Sequence, residues 1–141
     1  MIQRLVVASL LLLSFAVSAS DNKVSVGFGF QYGGVLGVKY AIDSDNSRYF
    51  ASIGALGGAV GYEYALSDSN AIALALGSEV LVSVKGFIML EFNHYFKGRN
   101  NEGCRFGAGA GIVREDQGGS YANLGKTDTT GTISVNLGYQ F

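Results

Sequence analysis

The last twelve residues of the chain decide the fold: Thr130-Gly-Thr-Ile-Ser-Val-Asn-Leu-Gly-Tyr-Gln-Phe141. Side chains alternate between the two faces of a β-strand, so every second residue shares a face. One face consists of Ile133, Val135, Leu137, Tyr139 and Phe141, and the other of Thr132, Ser134, Asn136, Gly138 and Gln140. The second face carries no charge, although a soluble strand normally presents some Lys or Glu to water. The pattern is therefore typical of a strand between lipid and a polar interior.

Length and composition limit the possible classes of function. The 141 residues leave room for one domain. Charged residues make up 15 % of the chain, below the roughly 25 % of soluble domains. A net charge of −1 gives no basic footprint for nucleic acid. The only cysteine is Cys104 and the only histidine is His94, which excludes an intrachain disulfide and a multi-histidine metal site. We expect no cofactor and no metal.

The start of the chain has the features of a secretory signal peptide. Arg4 supplies the basic region, Leu5–Val17 is an apolar run, and a small-residue cleavage site ends at Ala19. An uncleaved anchor would need about 20 apolar residues, and this run has about 13. We therefore predict a signal peptide at residues 1–19, export through the Sec pathway, and a mature domain at residues 20–141. No later apolar run approaches the length of a spanning helix, so a mature domain in a membrane must be a closed barrel.

The alternation of the last strand recurs along the mature chain and predicts eight strands, the third of which is read from Tyr49 to Ala55. The turn signals between them are Gly33-Gly34, Asp43–Ser47, Gly57-Gly58, Ser67–Asn70 and Lys97–Gly103. Residues Gly77–Lys85 are compatible with a loop or with a longer fifth strand, and Arg114–Thr129 is predicted to be the one long loop, with Tyr121 and Leu124 inside it. Eight spanning strands use about 80 of the roughly 120 mature residues. The predicted fold is all-β, an eight-stranded antiparallel up-and-down transmembrane β-barrel.

The apolar faces of these strands are predicted to point outward. In a soluble, lipocalin-like barrel the outer face would consist of Ser, Gly and Ala, without the charges that keep soluble sheets in solution. An eight-stranded lumen is just wide enough for side chains, which suits small residues. The first strand would then present Val24, Val26, Phe28, Phe30 and Tyr32 outward. An aromatic girdle is predicted near one end of the strands, formed by Tyr40, Tyr49, Tyr64, Phe96 and Phe106, with Tyr139 and Phe141.

The terminal strand resembles the C-terminal strand of bacterial outer-membrane β-barrels. The whole mature chain is similar to the small eight-stranded barrels of the OmpA/OmpX type. This resemblance implies a monomer in the outer membrane of a Gram-negative bacterium, in contact with outer-membrane lipid and assisted by periplasmic chaperones. It also implies that Tyr139 and Phe141 form the signal read by the barrel-assembly machinery. Family members usually have long outer loops, whereas Gly33-Gly34 and Gly57-Gly58 are minimal, which argues against an adhesin or receptor role carried by loops.

Four charged residues are predicted to point into the lumen: Lys39, Glu63, Glu91 and Arg105. Unpaired charge is costly to bury, so these two acids and two bases are expected to neutralise one another and plug the barrel. This interpretation gives the protein a structural or interaction role. The alternative is a narrow, porin-like channel or a small-ligand passage, because a ring of charge can select ions.

Catalysis is not expected. His94 is predicted on the outward face, and no nucleophile accompanies it. The segment His94-Tyr95-Phe96-Lys97 lacks the serine of the His-x-Ser-Asn segment found in the outer-membrane lipid A deacylases. A lipid-modifying outer-membrane enzyme is therefore the least favoured alternative. Cys104 is expected to be a free, small residue at the start of a strand.

Overall fold

The computed structural model describes residues 22–81, 83–116 and 127–141. Its strands are β1 Asn22–Gly29, β2 Gly34–Ser44, β3 Ser47–Gly54, β4 Gly57–Ala65, β5 Asn70–Glu79, β6 Ser83–Tyr95, β7 Gly103–Asp116 and β8 Thr127–Gln140. Each strand pairs with the next, and β8 pairs antiparallel with β1, so the sheet closes into a barrel. The predicted all-β, eight-stranded, antiparallel up-and-down fold is confirmed. Within the described part of the chain, no helix is long and apolar enough to cross a membrane.

The barrel has two ends, which we name the turn end and the loop end. The turn end carries the connections β2–β3, β4–β5 and β6–β7 and the C-terminus. The loop end carries the connections β1–β2, β3–β4, β5–β6 and β7–β8. Residues 117–126, in the last of these connections, lie outside the described residues. All strands therefore run between the same two ends, and positions along the barrel can be compared from strand to strand.

Two stretches differ from their predicted extent. β5 continues to Glu79 and β6 begins at Ser83, so most of the uncertain stretch 77–85 is strand. β7 runs to Asp116 and β8 begins at Thr127, so the predicted long loop is shortened from both sides. Tyr121 and Leu124, which were predicted inside that loop, lie outside the described residues. β7 and β8 pair over their full length of 14 residues each and form the longest hairpin of the barrel.

Small residues line the lumen because larger side chains lie against them. A Cβ atom added to Gly77 would lie 2.7 Å from the ring of Phe87. A Cβ atom added to Gly109 would lie 2.7 Å from Cγ of Glu91. Interiors of proteins are close-packed, so a methyl group cannot enter such a space without displacing its neighbour. The glycines predicted on the lumen face therefore make room for the few large side chains that fill the bore.

The first strand bends where the sequence predicted that it continues. β1 ends at Gly29, which has a φ of +108° that favours glycine, and the chain then forms a 3-10 helix at Phe30–Tyr32. Tyr32 is fully buried. The ring of Phe30 contacts that of Phe87, with 4.9 Å between centroids. The predicted outward orientation of Phe30 and Tyr32 is wrong, because the positive φ at Gly29 turns both side chains into the barrel.

The outer wall of the barrel is apolar. Large apolar side chains are exposed on every strand, among them Ile53 at 75 % and Ile133 at 83 %. The residues of the predicted aromatic girdle, Tyr40, Tyr49, Tyr64, Phe96 and Phe106, are all exposed on this wall, toward the turn end. The charged side chains of the strands follow the opposite pattern, and many of them are buried inside the barrel.

Candidate functional site: a charged cluster in the lumen

Glu63 on β4 lies at the centre of a buried polar cluster. Its carboxylate accepts hydrogen bonds from the Tyr95 hydroxyl at 2.8 Å and from the Asn93 amide nitrogen at 2.8 Å. The guanidinium groups of Arg48 and Arg105 each approach one carboxylate oxygen to 3.8 Å. All five side chains are at most 1 % exposed. One carboxylate therefore faces two guanidinium groups inside the barrel.

Arg105 on β7 connects this centre to the inward-turned 3-10 helix. Its Nη1 donates to the Tyr95 hydroxyl at 3.0 Å. Its Nη2 donates to Gln31 Oε1 at 2.7 Å and to Asn136 Oδ1 at 2.9 Å. The same Gln31 oxygen accepts from Lys39 Nζ at 3.3 Å. The bend after β1 therefore supplies an acceptor shared by two cations.

Arg48 on β3 connects the cluster to the turn end. Its guanidinium donates to Asp43 Oδ2 at 2.9 Å, to Gln140 Oε1 at 2.8 Å and to the backbone oxygen of Arg99 at 3.0 Å. Gln140 donates to the same Arg99 oxygen at 2.8 Å. Arg99 belongs to the β6–β7 turn and is only 5 % exposed. This turn therefore folds beneath the barrel and covers the lumen from the turn end.

Lys39 and Glu91 lie beside the Glu63 centre, but their contacts are of other kinds than the ion pairs of that centre. The Lys39 ammonium lies 4.8 Å from the ring centroid of Phe50 and 5.3 Å from that of Tyr32, within the range of cation–π contacts. Glu91 Oε1 accepts from the Ser134 hydroxyl at 2.6 Å. Glu91 Oε2 is buried without a hydrogen-bond partner among the described residues. These two charges are held by neutral groups and aromatic rings.

The structure places Lys39, Glu63, Glu91 and Arg105 in the lumen, as predicted. Their contacts differ in part from the predicted ones. The sequence suggested that these two acids and two bases neutralise one another. Glu63 does pair with one of these bases, Arg105, but its second ion-pair partner is Arg48, which was not predicted. Arg48 was missed because the third strand was predicted to begin at Tyr49. Extending the alternation back by one residue would have put Arg48 on the lumen face.

The chain terminus is tied to the first strand. The backbone nitrogen of Phe141 donates to the carbonyl oxygen of Val24 at 2.9 Å. Tyr139 and Phe141 both point outward, and their ring centroids are 5.1 Å apart. The two residues predicted to form the assembly signal therefore form one aromatic pair on the outer wall at the turn end.

The other groups considered for chemistry lie outside the lumen cluster. His94 Nδ1 lies 2.8 Å from Asn70 Oδ1, and its ring contacts that of Phe96 at 5.2 Å between centroids. Cys104 is a free, exposed cysteine. Over the described ranges, no group of three or more His, Cys, Asp or Glu residues could hold a metal ion. The geometry of the cluster is that of charge compensation, because the buried charges of the Glu63 centre face one another and neutral hydrogen-bonding partners.

Comparisons with known proteins complete this description. No model of a known protein family matches the chain, and comparisons with curated proteins and with solved structures gave no significant match. The class is therefore defined by the fold and the lumen alone. The protein is a small, closed, eight-stranded antiparallel β-barrel with a charged and hydrogen-bonded interior.

Proposed function

We propose that the mature chain is a non-catalytic outer-membrane β-barrel protein with a structural or interaction role, and that the charged cluster plugs its lumen. The observation that carries this proposal is the distribution of polarity. Arg48, Glu63 and Arg105 are fully buried in the lumen, whereas Ile53 and Ile133 are 75 % and 83 % exposed on the wall. Soluble monomers rarely expose contiguous apolar patches above a few hundred Å². A wall in contact with lipid accounts for such a surface.

The height of the apolar wall supports a place in a bilayer. β5 contains 10 residues and presents Ile72, Leu74 and Leu76 outward. With a rise of about 3.3 Å per residue and a tilt of about 40°, such a strand covers about 25 Å along the barrel axis. This matches the apolar band of outer-membrane barrels, which is about 25 Å tall. The aromatic girdle would then lie at the periplasmic interface, where aromatic rings are favoured.

The proposal includes a route to the outer membrane of a Gram-negative cell. Residues 1–19, outside the described residues, would direct export through the Sec pathway and be removed. Tyr139 and Phe141 would be read by the barrel-assembly machinery after delivery by periplasmic chaperones. The mature barrel would then be a monomer surrounded by outer-membrane lipid. The resemblance of the terminal strand to those of outer-membrane barrels supports this route.

A plug is favoured over a channel because hydrogen bonds cross the bore. Arg48 on β3 bonds with Gln140 on β8, and Tyr95 on β6 bonds with Glu63 on β4. We therefore expect no steady conductance when the protein is reconstituted in planar bilayers. A steady single-channel conductance that changes in the variant Glu63→Gln would support the channel instead. Mass analysis of lipid A from cells with and without the protein tests the enzyme alternative, and we expect the same lipid A species.

Cell fractionation tests the proposal as a whole. The full chain, expressed in a Gram-negative host, should be recovered in the outer membrane and should migrate differently on gels before and after heating. Recovery of the full chain as a soluble periplasmic protein would reject the membrane location.

Removal of Phe141 tests the assembly signal separately. We expect normal export but a much lower membrane yield. The matched control is Phe96→Ala, which removes an exposed aromatic ring at the same end of the barrel and should keep the yield. A normal yield without Phe141 would contradict the assigned signal while leaving the membrane location intact.

A further inference from the structure

Three of the four connections at the loop end carry apolar side chains at their tips. Val35 and Leu36 follow the β1–β2 connection, Leu56 lies in the β3–β4 connection, and Val80 and Leu81 lie in the β5–β6 connection. We name these five residues the low rim. Val35, Leu36, Val80 and Leu81 are each between 66 % and 68 % exposed. The low rim therefore presents an apolar surface at one end of the barrel.

The connections at the turn end have the opposite character. Each of them contains Asp, Asn or Ser, for example Asp45 and Asn46 between β2 and β3 and Asp68 between β4 and β5. These residue types are usual in turns that face water. The three connections of the low rim contain none of them. The two ends of the barrel are therefore suited to different surroundings.

Backbone hydrogen bonds join the three tips of the low rim to one another. The backbone nitrogen of Ala55 donates to the oxygen of Leu36 at 2.8 Å, and that of Leu56 donates to the oxygen of Gly33 at 3.3 Å. The backbone nitrogen of Val80 donates to the oxygen of Leu56 at 2.9 Å. Backbone groups without a partner are costly in a layer that excludes water. These bonds remove that cost where neighbouring tips meet.

Strand lengths place the low rim at the edge of the apolar band. β3, β4 and β5 contain 8, 9 and 10 residues. A rise of about 3.3 Å per residue and a tilt of about 40° give each strand a height of about 20–25 Å above the turn end. The apolar band of an outer-membrane barrel is about 25 Å tall. A barrel whose turn end lies at one interface therefore places the low rim at the other.

The β7–β8 hairpin stands above the low rim and is polar there. Its strands contain 14 residues each and β5 contains 10, so the hairpin rises about 10 Å higher. The residues that it carries in this upper part are all exposed and are Arg114, Glu115, Asp128, Thr129 and Thr130. Polarity at the loop end therefore follows height: the tips at the edge of the band are apolar, and the hairpin above the band is polar.

Two cationic residues lie on the wall beside the low rim. Lys85 is exposed near the start of β6, and Arg114 is exposed on β7, where it pairs with Gly86. Below them Ile88 pairs with Ile112, and both are exposed. Lys and Arg keep their apolar stems in lipid and extend their charges into the headgroup layer. These side chains therefore mark the level at which acyl chains give way to headgroups.

We propose that the low rim is a lipid-contact surface, with its three tips in the interfacial layer of the outer leaflet and the polar part of the β7–β8 hairpin in water. This inference rests on the membrane location proposed above. Lipid is the occupant because the low rim continues the wall: Leu36, Val38 and Tyr40 form one exposed row along β2 toward the girdle. A second copy in the same membrane has its low rim on the same side, so two low rims cannot face each other.

Spin labels measure the depth of the low rim directly. Cys104 is first replaced by Ser, and a single nitroxide-labelled cysteine is introduced as Leu36→Cys or Leu81→Cys. The protein is reconstituted in phosphatidylcholine vesicles with a neutral nickel chelate on both sides of the membrane. Oxygen concentrates among the acyl chains and the chelate stays in water, so the ratio of their collision rates with the nitroxide increases with depth.

Three further labels provide the references. Leu74→Cys marks the middle of the wall, Thr129→Cys marks the polar part of the β7–β8 hairpin, and Asn46→Cys is the matched tip at the turn end. At Leu36→Cys and Leu81→Cys we expect an oxygen-to-nickel ratio about threefold or more above that at Thr129→Cys and Asn46→Cys, because apolar tips insert below the headgroups. The ratio at Leu74→Cys should be the highest.

The possible results separate the two proposals. If the labels at Leu36 and Leu81 collide with nickel as often as those at Asn46 and Thr129, while the label at Leu74 does not, the low rim lies in water and only this inference is overturned. Labels at the low rim that are sheltered from both oxygen and nickel would show that protein covers it, which also overturns lipid as the occupant. A label at Leu74 that collides with nickel as often as that at Thr129 overturns the membrane location, and with it the lipid contact of the low rim.

Discussion

The lumen has a polar half at the turn end and a half at the loop end whose large buried side chains are mainly apolar, which we call the apolar half. Glu79 and Ser83 are buried at the rim of this apolar half. In the polar half, Glu63, Tyr95 and Arg105 are held by hydrogen bonds with defined partners. In the apolar half, Phe30 and Phe87 are held by packing alone. Removing one partner of a buried charge leaves the other uncompensated, whereas apolar cores tolerate substitutions that conserve volume. The polar half should therefore determine stability, and the apolar half should tolerate change.

The largest effect is expected for Glu63→Gln. The substitution keeps the shape of the side chain but leaves Arg48 and Arg105 facing each other without the carboxylate between them. We expect a loss of about 3–5 kcal/mol in the free energy of unfolding. Urea unfolding in detergent micelles measures this loss, and the control of unchanged stability is Glu102→Gln, at an exposed position of the β6–β7 turn. Equal stability of Glu63→Gln and Glu102→Gln would show that the Glu63 carboxylate does not stabilise the fold. The polar half would then not determine stability.

A smaller effect is expected for Tyr95→Phe. The hydroxyl donates to Glu63 and accepts from Arg48 and Arg105, so its removal takes one partner from each of three buried charges. The charges keep their other contacts, and we expect a loss of about 1–3 kcal/mol. The control is Tyr49→Phe, on the exposed outer wall, which should unfold at the same urea concentration as the unaltered protein. Equal midpoints for both variants would show that this hydroxyl does not stabilise the cluster.

The smallest effect is expected in the apolar half, for Phe87→Leu. This side chain is 3 % exposed and contacts Phe30. Its replacement by another large apolar residue should cost less than about 1.5 kcal/mol, because neighbouring side chains can repack. Urea unfolding in the same detergent micelles gives a value that can be compared with that of Glu63→Gln. A loss as large as that of Glu63→Gln would mean that the apolar half is as constrained as the polar one.

Much of this comparison could be predicted from the sequence, because alternation reports which face a residue occupies. It placed Lys39, Glu63, Glu91 and Arg105 in the lumen and Leu137 on the wall, as the structure has them. Alternation does not report which side chains meet across the bore. The partners of a lumen residue come from strands that are not adjacent, and strand tilt and side-chain length decide which of them come into contact.

The inward bend of the first strand was missed for a local reason. Val24 to Tyr32 alternate regularly, and this pattern does not distinguish a straight strand from one that turns at Gly29. Only the positive φ at Gly29 separates these two structures, and the presence of glycine does not predict it, because lumen positions such as Gly107 and Gly109 are also glycine within regular strands. The bend supplies Gln31 to the polar half and Phe30 to the apolar half.

The central claim is that the apolar face of the barrel meets lipid and the polar face lines the lumen. The chain contains no Trp, so a single Trp can report on either face. Leu74→Trp places it on the wall, and Phe50→Trp places it in the lumen, where Phe50 is 5 % exposed. In bilayers with brominated acyl chains, the Leu74→Trp variant should be strongly quenched relative to unbrominated lipid, and the Phe50→Trp variant should be almost unchanged. Quenching of the lumen variant alone, or of neither variant, would contradict the claim.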